Sequence, residues 1–452
     1  MAHIPGDLPA AAGASAAHRI VIVGGGAAGL QLATLLGDGL GRRGRAEVTL
    51  IDKQRSHVWK PRLHEIAAGS MDPGLHEVDY LAQSHRHHFR YRIGELTGLD
   101  RARREVRVAA FIDGEGRQVT PARRFGYDTL VLALGSQSND FGTPGVSEHA
   151  LKLESPADAR RFHQRLVNAC IRAHAQPQPL RPAQLQVVII GAGATGVELA
   201  AELHRSTREL VAHGLDRIDP DRHIRLHLIE AADRVLPALA PRLSQAAQAL
   251  LERQGVQVHT GTRVAQVLPE GVRLADGRPI AAELVVWAAG VRAPEVLKDL
   301  GGLESTRINQ LRVRPTLQAT RDDHVFALGD CAACPWPAAG PDALVPPRAQ
   351  AAQQQARHMA RQMRLRLAGQ PLREFHYRDF GSLVSLGHHG ALGEMLAGVC
   401  GDGLRVEGRL ALAMYRSLYK RHELSLHGWA KVALDTLARW IGGRTGPRVK
   451  LH

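Results

Sequence analysis

Two distant stretches of this chain repeat one design: a short apolar strand, a glycine turn of the form G-x-G-x-x-G, and an apolar-periodic helix. In the first, His18-Arg19-Ile20-Val21-Ile22-Val23 runs into Gly24-Gly25-Gly26-Ala27-Ala28-Gly29, then Leu30-Gln31-Leu32-Ala33. In the second, Val187-Val188-Ile189-Ile190 runs into Gly191-Ala192-Gly193-Ala194-Thr195-Gly196, then Val197-Glu198-Leu199. Between a strand and a helix, such a turn is a dinucleotide-binding fingerprint. Its first glycine permits the tight turn, the second lets a pyrophosphate approach the backbone, and the third lets the helix pack against the strand. The helix N-terminus then offers unpaired N–H groups and partial positive charge to the phosphates.

Each unit also needs a second strand ending in an acid for the adenosine ribose. Residues 47–51 end in Asp52, 23 positions after Gly29, close to the expected spacing of about 20. Residues 225–229 end in Glu230, 34 positions after Gly196, which predicts a longer helix or an inserted loop. Glycine-rich turns that bind nothing are the bland alternative to a single motif. Two copies in the same context, each with a terminal acid, predict two bound dinucleotides.

Three further apolar strands fit this plan: residues 127–135 ending in Gly135, residues 283–290 ending in Gly290, and residues 324–330 ending in Gly329-Asp330. Proline-rich breaks at 176–182 and 334–347 read as linkers or loops. The length of 452 residues is about three modal domains of ~150. With 44% apolar and 23% charged residues, wholesale disorder is excluded. Four cysteines cannot make a disulfide scaffold. No run of about 18 apolar residues predicts a membrane span, and the N-terminus lacks a secretory pattern, so a cytoplasmic product is expected.

Taken in order, GGGAAG, TLVLALG, GAGATG, WAAG and FALGD resemble the two-dinucleotide-binding-domain flavoproteins over about residues 19–330. Within that superfamily the chain is most similar to bacterial type II, non-proton-pumping NADH:quinone oxidoreductases. The resemblance lies in NDFGTPG (139–145), GAGATGVE (191–198), GDCAACP (329–335), PPRAQAAQQ (346–354) and YRDFGS (377–382), and leaves only residues 1–17 outside.

The resemblance implies an α/β fold of two Rossmann-like domains, the NADH domain inserted in the FAD domain, with a C-terminal membrane-associating region. The implied division is 18–150 and 301–370 for FAD, 151–300 for NADH and 371–452 for the C-terminal region. Gly24, Gly26, Gly29, Asp52, Gly135, Gly329 and Asp330 are then expected at FAD. Gly191, Gly193, Gly196, Glu230 and Gly290 are expected at NADH. Ala349, Gln350, Ala352 and Gln354 are expected at quinone, where small alanines allow close packing and glutamine amides can donate or accept at a carbonyl; a solvent-facing glutamine-rich helix is the alternative. Glu198, Gln350 and Gln354 are the implied catalytic residues. For Glu198 the competing role is that of a helix-start acid favoured by the dipole. A carboxylate at Glu230 accepts from the 2′-hydroxyl of NADH and repels a 2′-phosphate, although Arg234 nearby would partly offset the repulsion.

Disulfide reductases of this superfamily carry C-x-x-x-x-C beside the flavin, and residues 52–72 contain no cysteine. Reduced flavin must therefore meet its acceptor directly, and a quinone suits two-electron transfer. A sulfide:quinone oxidoreductase shares the fold but needs such cysteines and no NADH. A third reading is an NADH-responsive flavoprotein acting as a binding or signalling partner. Cys331-x-x-Cys334, His85-x-His87-His88 and His388-His389 suggest no metal site, since one C-x-x-C is half of a zinc set and clusters are expected among 24 histidines.

The chain carries a net charge of +14, and residues 405–452 hold ten basic and three acidic residues. Such an end suits an anionic membrane, an acidic partner or nucleic acid; few aromatics, 4%, and no recognition motif disfavour nucleic acid. Within that end, helical spacing aligns Trp429, Val432, Ala433, Leu437, Trp440 and Ile441 opposite Lys431, Asp435 and Arg439. This is the pattern of a helix lying in the headgroup zone. The alternative packs it on the core or on a second subunit, making a homodimer. With a lipid-soluble quinone as substrate, the expected location is peripheral, on the cytoplasmic side of the inner (cell) membrane.

Overall fold

The first apolar run becomes β1 (His18–Val23), whose last four side chains are buried. Next come α1 (Gly29–Leu36), β2 (Ala46–Asp52), the short α2 (Leu63–Ala68), β3 (Arg90–Ile93) and β4 (Thr129–Leu132). β2 and β4 flank β1, and β3 lies outside β2, all in parallel. Their near-continuous runs of apolar residues are what a parallel sheet buried on both faces requires. The structure is a computed structural model and describes residues 17–387, 390–395 and 404–442.

The chain then leaves this sheet and builds a second one. It consists of β5 (Leu151–Lys152), β6 (Gln186–Ile190), β7 (Arg225–Ile229), β8 (Gln257–His259) and β9 (Leu284–Trp287), parallel throughout in the order 5-9-6-7-8. α3 (Pro156–Ala175) precedes β6 and opens on a capping box in which Ser155 and Asp158 satisfy each other's backbone N–H. After β6, α4 (Ala194–Ala212) runs 19 residues, against eight for α1, and a short helix Pro220–His223 follows. Both account for the wide spacing from Gly196 to Glu230. β10 (Gln318–Ala319) and β11 (Asp322–Ala327) then return to the first sheet, β11 lying parallel to β4.

In each sheet the strand bearing the glycine turn lies between two strands that both follow it in sequence, β2 and β4 on either side of β1 and β7 and β9 on either side of β6, so the connections leave it in opposite directions across the sheet. Ligands in such sheets bind beyond the C-terminal strand ends at this switch point. Both turns occupy it.

α5 (Ala349–Leu367) closes the first core through Met359 and Met363. An antiparallel sheet of β12 (Gly381–Ser385), β13 (Ala391–Met395) and β14 (Leu404–Glu407) leads into α6 (Gly408–His427) and α7 (Trp429–Gly442). The cores cross the sequence order. Leu63, Ile66, Ala67 and Ala68 of α2 pack in the second core with Phe162 and Leu199, as do Val384, Leu386 and Leu392. Each large apolar side chain so buried stabilises by about 1.5–3 kcal/mol. The two units are joined by a shared core, which fixes the walls between them.

Candidate active site

A cavity of about 1530 Å³ lies between the two glycine turns. Gly24 has φ +103°, and a Cβ there would stand 2.3 Å from the Ala133 carbonyl oxygen; Gly191 has φ +100°, with Ala289 at 2.7 Å. A Cβ on Gly29 or Gly196 would meet the Gly24 or Gly191 carbonyl oxygen at 1.8 or 1.9 Å. The middle glycines differ. Gly26 and Gly193 have no atom within 4 Å of a built Cβ, and both line the cavity. Only a ligand requires these two to be glycine, and a pyrophosphate on the backbone fits that requirement.

The strand-end acids brace the turns. Asp52 accepts from Gly25 N at 2.5 Å and Gln54 N at 2.7 Å, while Glu230 accepts from Ala192 N at 2.7 Å and Ala232 N at 2.9 Å. A carboxylate has room for about four such bonds, so each acid keeps acceptor capacity. Burial pushes Asp52 above the usual carboxylate range despite these bonds. Asp52, Gly135, Gly290, Gly329 and Asp330 line the cavity; Gly29, Gly191 and Gly196 are buried beside it, and Glu230, half-buried, is not among its lining residues. Asp330 accepts from Ser136 Oγ at 2.8 Å, and Gly329, at φ +69°, donates its N–H to Gln355 Oε1 at 2.6 Å. That last bond pins the Gly-Asp turn to α5.

Glu198, on the first turns of α4, faces the same cavity and is buried. Ser385 N of β12 donates to its Oε1 at 3.1 Å, His64 Nδ1 of α2 stands 3.4 Å from its Oε2, and the Tyr415 side chain of α6 hydrogen-bonds to it. Burial raises its carboxyl above the usual range, and the His64, Ser385 and Tyr415 contacts only partly offset this. Three elements from distant parts of the chain, α2, β12 and α6, therefore hold one protonatable carboxyl of α4. A helix-start acid placed only by the dipole needs none of them.

Ala349, Gln350, Ala352 and Gln354 also line the cavity. Gln350 donates to Asp379 Oδ1 at 3.1 Å and Gly381 O at 2.8 Å, and accepts from Phe380 N at 3.1 Å. Gln354 donates to Arg378 O at 2.8 Å and accepts from Arg378 N at 3.1 Å. Arg348 pairs with Asp379 at 2.9 Å. The two amides thus clamp residues 378–381, leaving Gln354 one N–H and each carbonyl a lone pair for a ligand.

A model of the pyridine nucleotide-disulphide oxidoreductase family matches residues 18–356. The chain belongs to this family. It is 40% identical over 96% of its length, and 100% of the relative, to a Haemophilus influenzae protein named type II NADH:quinone oxidoreductase. A Staphylococcus saprophyticus protein of the same name is 30% identical over 91% of this chain and 96% of its own. Among solved structures, NDH2 from Plasmodium falciparum in complex with NADH superposes with a TM-score of 0.78 over 96% of this chain and all of that one, at 17% identity. A sulfide:quinone oxidoreductase from Aquifex aeolicus superposes at 0.70, covering 95% and 96% of the two chains at 16% identity. The chain is thus a member of the type II NADH:quinone oxidoreductases, and the structural likenesses show that it has their fold.

Membership of a family named for disulphides does not extend to a dithiol here. Cys331 and Cys334 are buried and free, their thiols pushed up by burial to about 11 and about 12. Among the described residues no cysteine lines the cavity. His64, Tyr415 and Ser385 are absent from any motif, because each reaches Glu198 only through the fold. His388-His389 lies outside the described residues.

Proposed function

We propose that this protein oxidises NADH and delivers the two electrons to a membrane quinone, without ion transport, through FAD held on the first glycine turn. The observation that carries this reading is one cavity walled by both glycine turns, by Glu198 and by residues 349–354. Gly26, Asp52, Gly329 and Asp330 would hold FAD, which supplies a two-electron carrier between nicotinamide and quinone when bound. Gly193, Glu230 and Gly290 would hold NADH, with residues 18–150 and 301–370 forming the flavin domain and 151–300 the NADH domain. Glu198, kept protonatable by burial, stands where it can supply a proton on the cavity side. Ala349 and Ala352 leave room for a flat ring, and Gln350 and Gln354 shape that wall through residues 378–381. Among the described residues no cysteine lines the cavity, which disfavours sulfide as donor. Stopped-flow tests the quinone half: a short-chain quinone should restore the flavin absorbance of NADH-reduced protein within turnover time, and reduction by sulfide alone would contradict the reading.

Glu230 would set coenzyme choice. Glu230→Ala removes a charge-assisted acceptor worth ~1.5–3 kcal/mol, so the NADH KM should rise about 10- to 100-fold and the preference over NADPH should narrow. Unchanged steady-state kinetics with both coenzymes would refute the role.

Docking at the cytoplasmic membrane face would use the end of the chain. No helix among the described residues is long and apolar enough to span a membrane. On α7, Trp429 is 79% exposed, Leu434 68% and Leu437 55%, while Val432 is buried and anchors the helix. The apolar face read from the spacing is therefore divided, Val432 inward and Trp429 and Leu437 outward. Leu410, Leu418 and Leu424 of α6 are exposed as well. Exposed tryptophan and leucines on a basic helix pair suit the headgroup region. Removing residues 429–452 should abolish co-sedimentation with anionic vesicles and leave NADH reduction of the flavin intact; equal sedimentation would count against docking through α7.

A further inference from the structure

We propose that His57 and His422 are positioning residues for the flavin cradle, an imidazole pair through which helix α6 holds the first glycine turn in its phosphate-binding shape. The inference rests on the reading that FAD occupies that turn. Sequence separates the two rings by 365 positions, yet their Nε2 atoms lie 3.1 Å apart and both side chains are buried. His57 lines the cavity; His422 stands behind it.

The hydrogen bonds run in one direction. Gln353 of α5 offers its amide Nε2 to His422 Nδ1 at 3.1 Å. With Nδ1 accepting, a neutral His422 carries its proton on Nε2 and donates to His57 Nε2. His57 then carries its proton on Nδ1, and this ring does hydrogen-bond the Gly25 backbone. The Gly25 carbonyl also accepts from Tyr80 Oη at 2.8 Å, and the Gly25 N–H donates to Asp52. Both backbone polar groups of the central residue in the turn are therefore held, one in each of the two peptides that flank it. Burial keeps both rings neutral, lowering His57 to about 4 and His422 well below its ordinary value. The Trp59 ring packs against His422, ring centroids 3.9 Å apart and planes tilted by 31°.

Gly25 sits between the glycine that makes the turn and the one that bares the backbone to the ligand. Rotating the Gly25–Gly26 peptide, whose carbonyl His57 and Tyr80 hold, would turn the Gly26 N–H away from the ligand, so what holds the Gly25 carbonyl sets how tightly the dinucleotide stays. The last link, His422, is carried by the helix that leads into α7. By linkage, a ligand that needs the turn ordered also stabilises the docked state of α6.

The test uses full-length FAD-loaded protein and follows flavin fluorescence as FAD is released after dilution. His422→Phe and His57→Phe preserve ring volume but break the chain, and each should speed release about tenfold, the loss of one buried hydrogen bond. The double variant should be no faster than either single one, because one chain is cut twice. His422→Gln, whose amide nitrogen mimics Nε2, should release FAD at nearly the wild-type rate, whereas His422→Asn should be fast. That second pair decides the matter if the phenylalanine variants do not fold. Proteolysis within α6 should also slow on FAD addition in the wild type and not in His422→Phe. Wild-type release rates in the Phe and Asn variants, or multiplying effects in the double variant, would overturn the proposal. Wild-type protein that takes up no FAD at all would instead strike at the cofactor reading.

Discussion

Gly26→Val should give a folded, colourless protein, and Gly193→Val a yellow protein that NADH does not bleach. A Cβ at either position meets no protein atom within 4 Å, and neither residue has a positive φ. The empty form should therefore keep a melting temperature near that of the parent. The branched side chain instead fills the space into which the pyrophosphate must settle. Overpacking of a filled site costs up to ~3 kcal/mol, so each affinity should fall on the order of 100-fold. The pair also checks the assignment of ligands to turns, since a colourless Gly193→Val would exchange them. Changes at Gly24 or Gly29 would be less informative, because there the new carbon strikes backbone and folding itself fails.

Glu198→Gln should retain both dinucleotides and lose turnover by on the order of 100-fold or more, the usual contribution of a positioned proton donor. Its pH behaviour identifies the group. Burial raises the Glu198 carboxyl, so the wild-type rate should fall as pH climbs through that raised value, and the variant should be flat in the same window. Stability should follow the same sign. The folded state holds this proton more tightly than the unfolded chain, so the associated stability is complete below the ordinary carboxylate range and is lost as pH rises through the raised value. Glutamine, uncharged throughout, should show no such loss. Parallel melting and rate profiles for the two proteins would mean that Glu198 does not titrate at the site.

The features legible in the sequence were local. A strand, three glycines and a helix are contiguous, and the acids Asp52 and Glu230 end the next strand, so one pass along the chain finds them. What escaped was built by packing. α2 belongs by position to the first unit and by its apolar face to the second core, which is how His64 comes to Glu198. Tyr415 and His422 lie on α6, where charged residues interrupt the apolar pattern and no spacing marks their partners. Gln350 and Gln354 were legible as a site but not as a clamp. Segments 346–354 and 377–382 stood out separately by resemblance, and only the fold shows the amides of one bonded to the backbone of the other.

The central claim is that two dinucleotides meet in one cavity so that electrons from NADH reach a flavin. Anaerobic titration of the purified protein with NADH, followed by flavin absorbance, tests it most directly. Stoichiometric NADH should bleach the yellow band and a short-chain quinone should restore it. A protein that stays colourless after reconstitution with FAD, or a yellow one whose spectrum NADH leaves unchanged, would contradict the account.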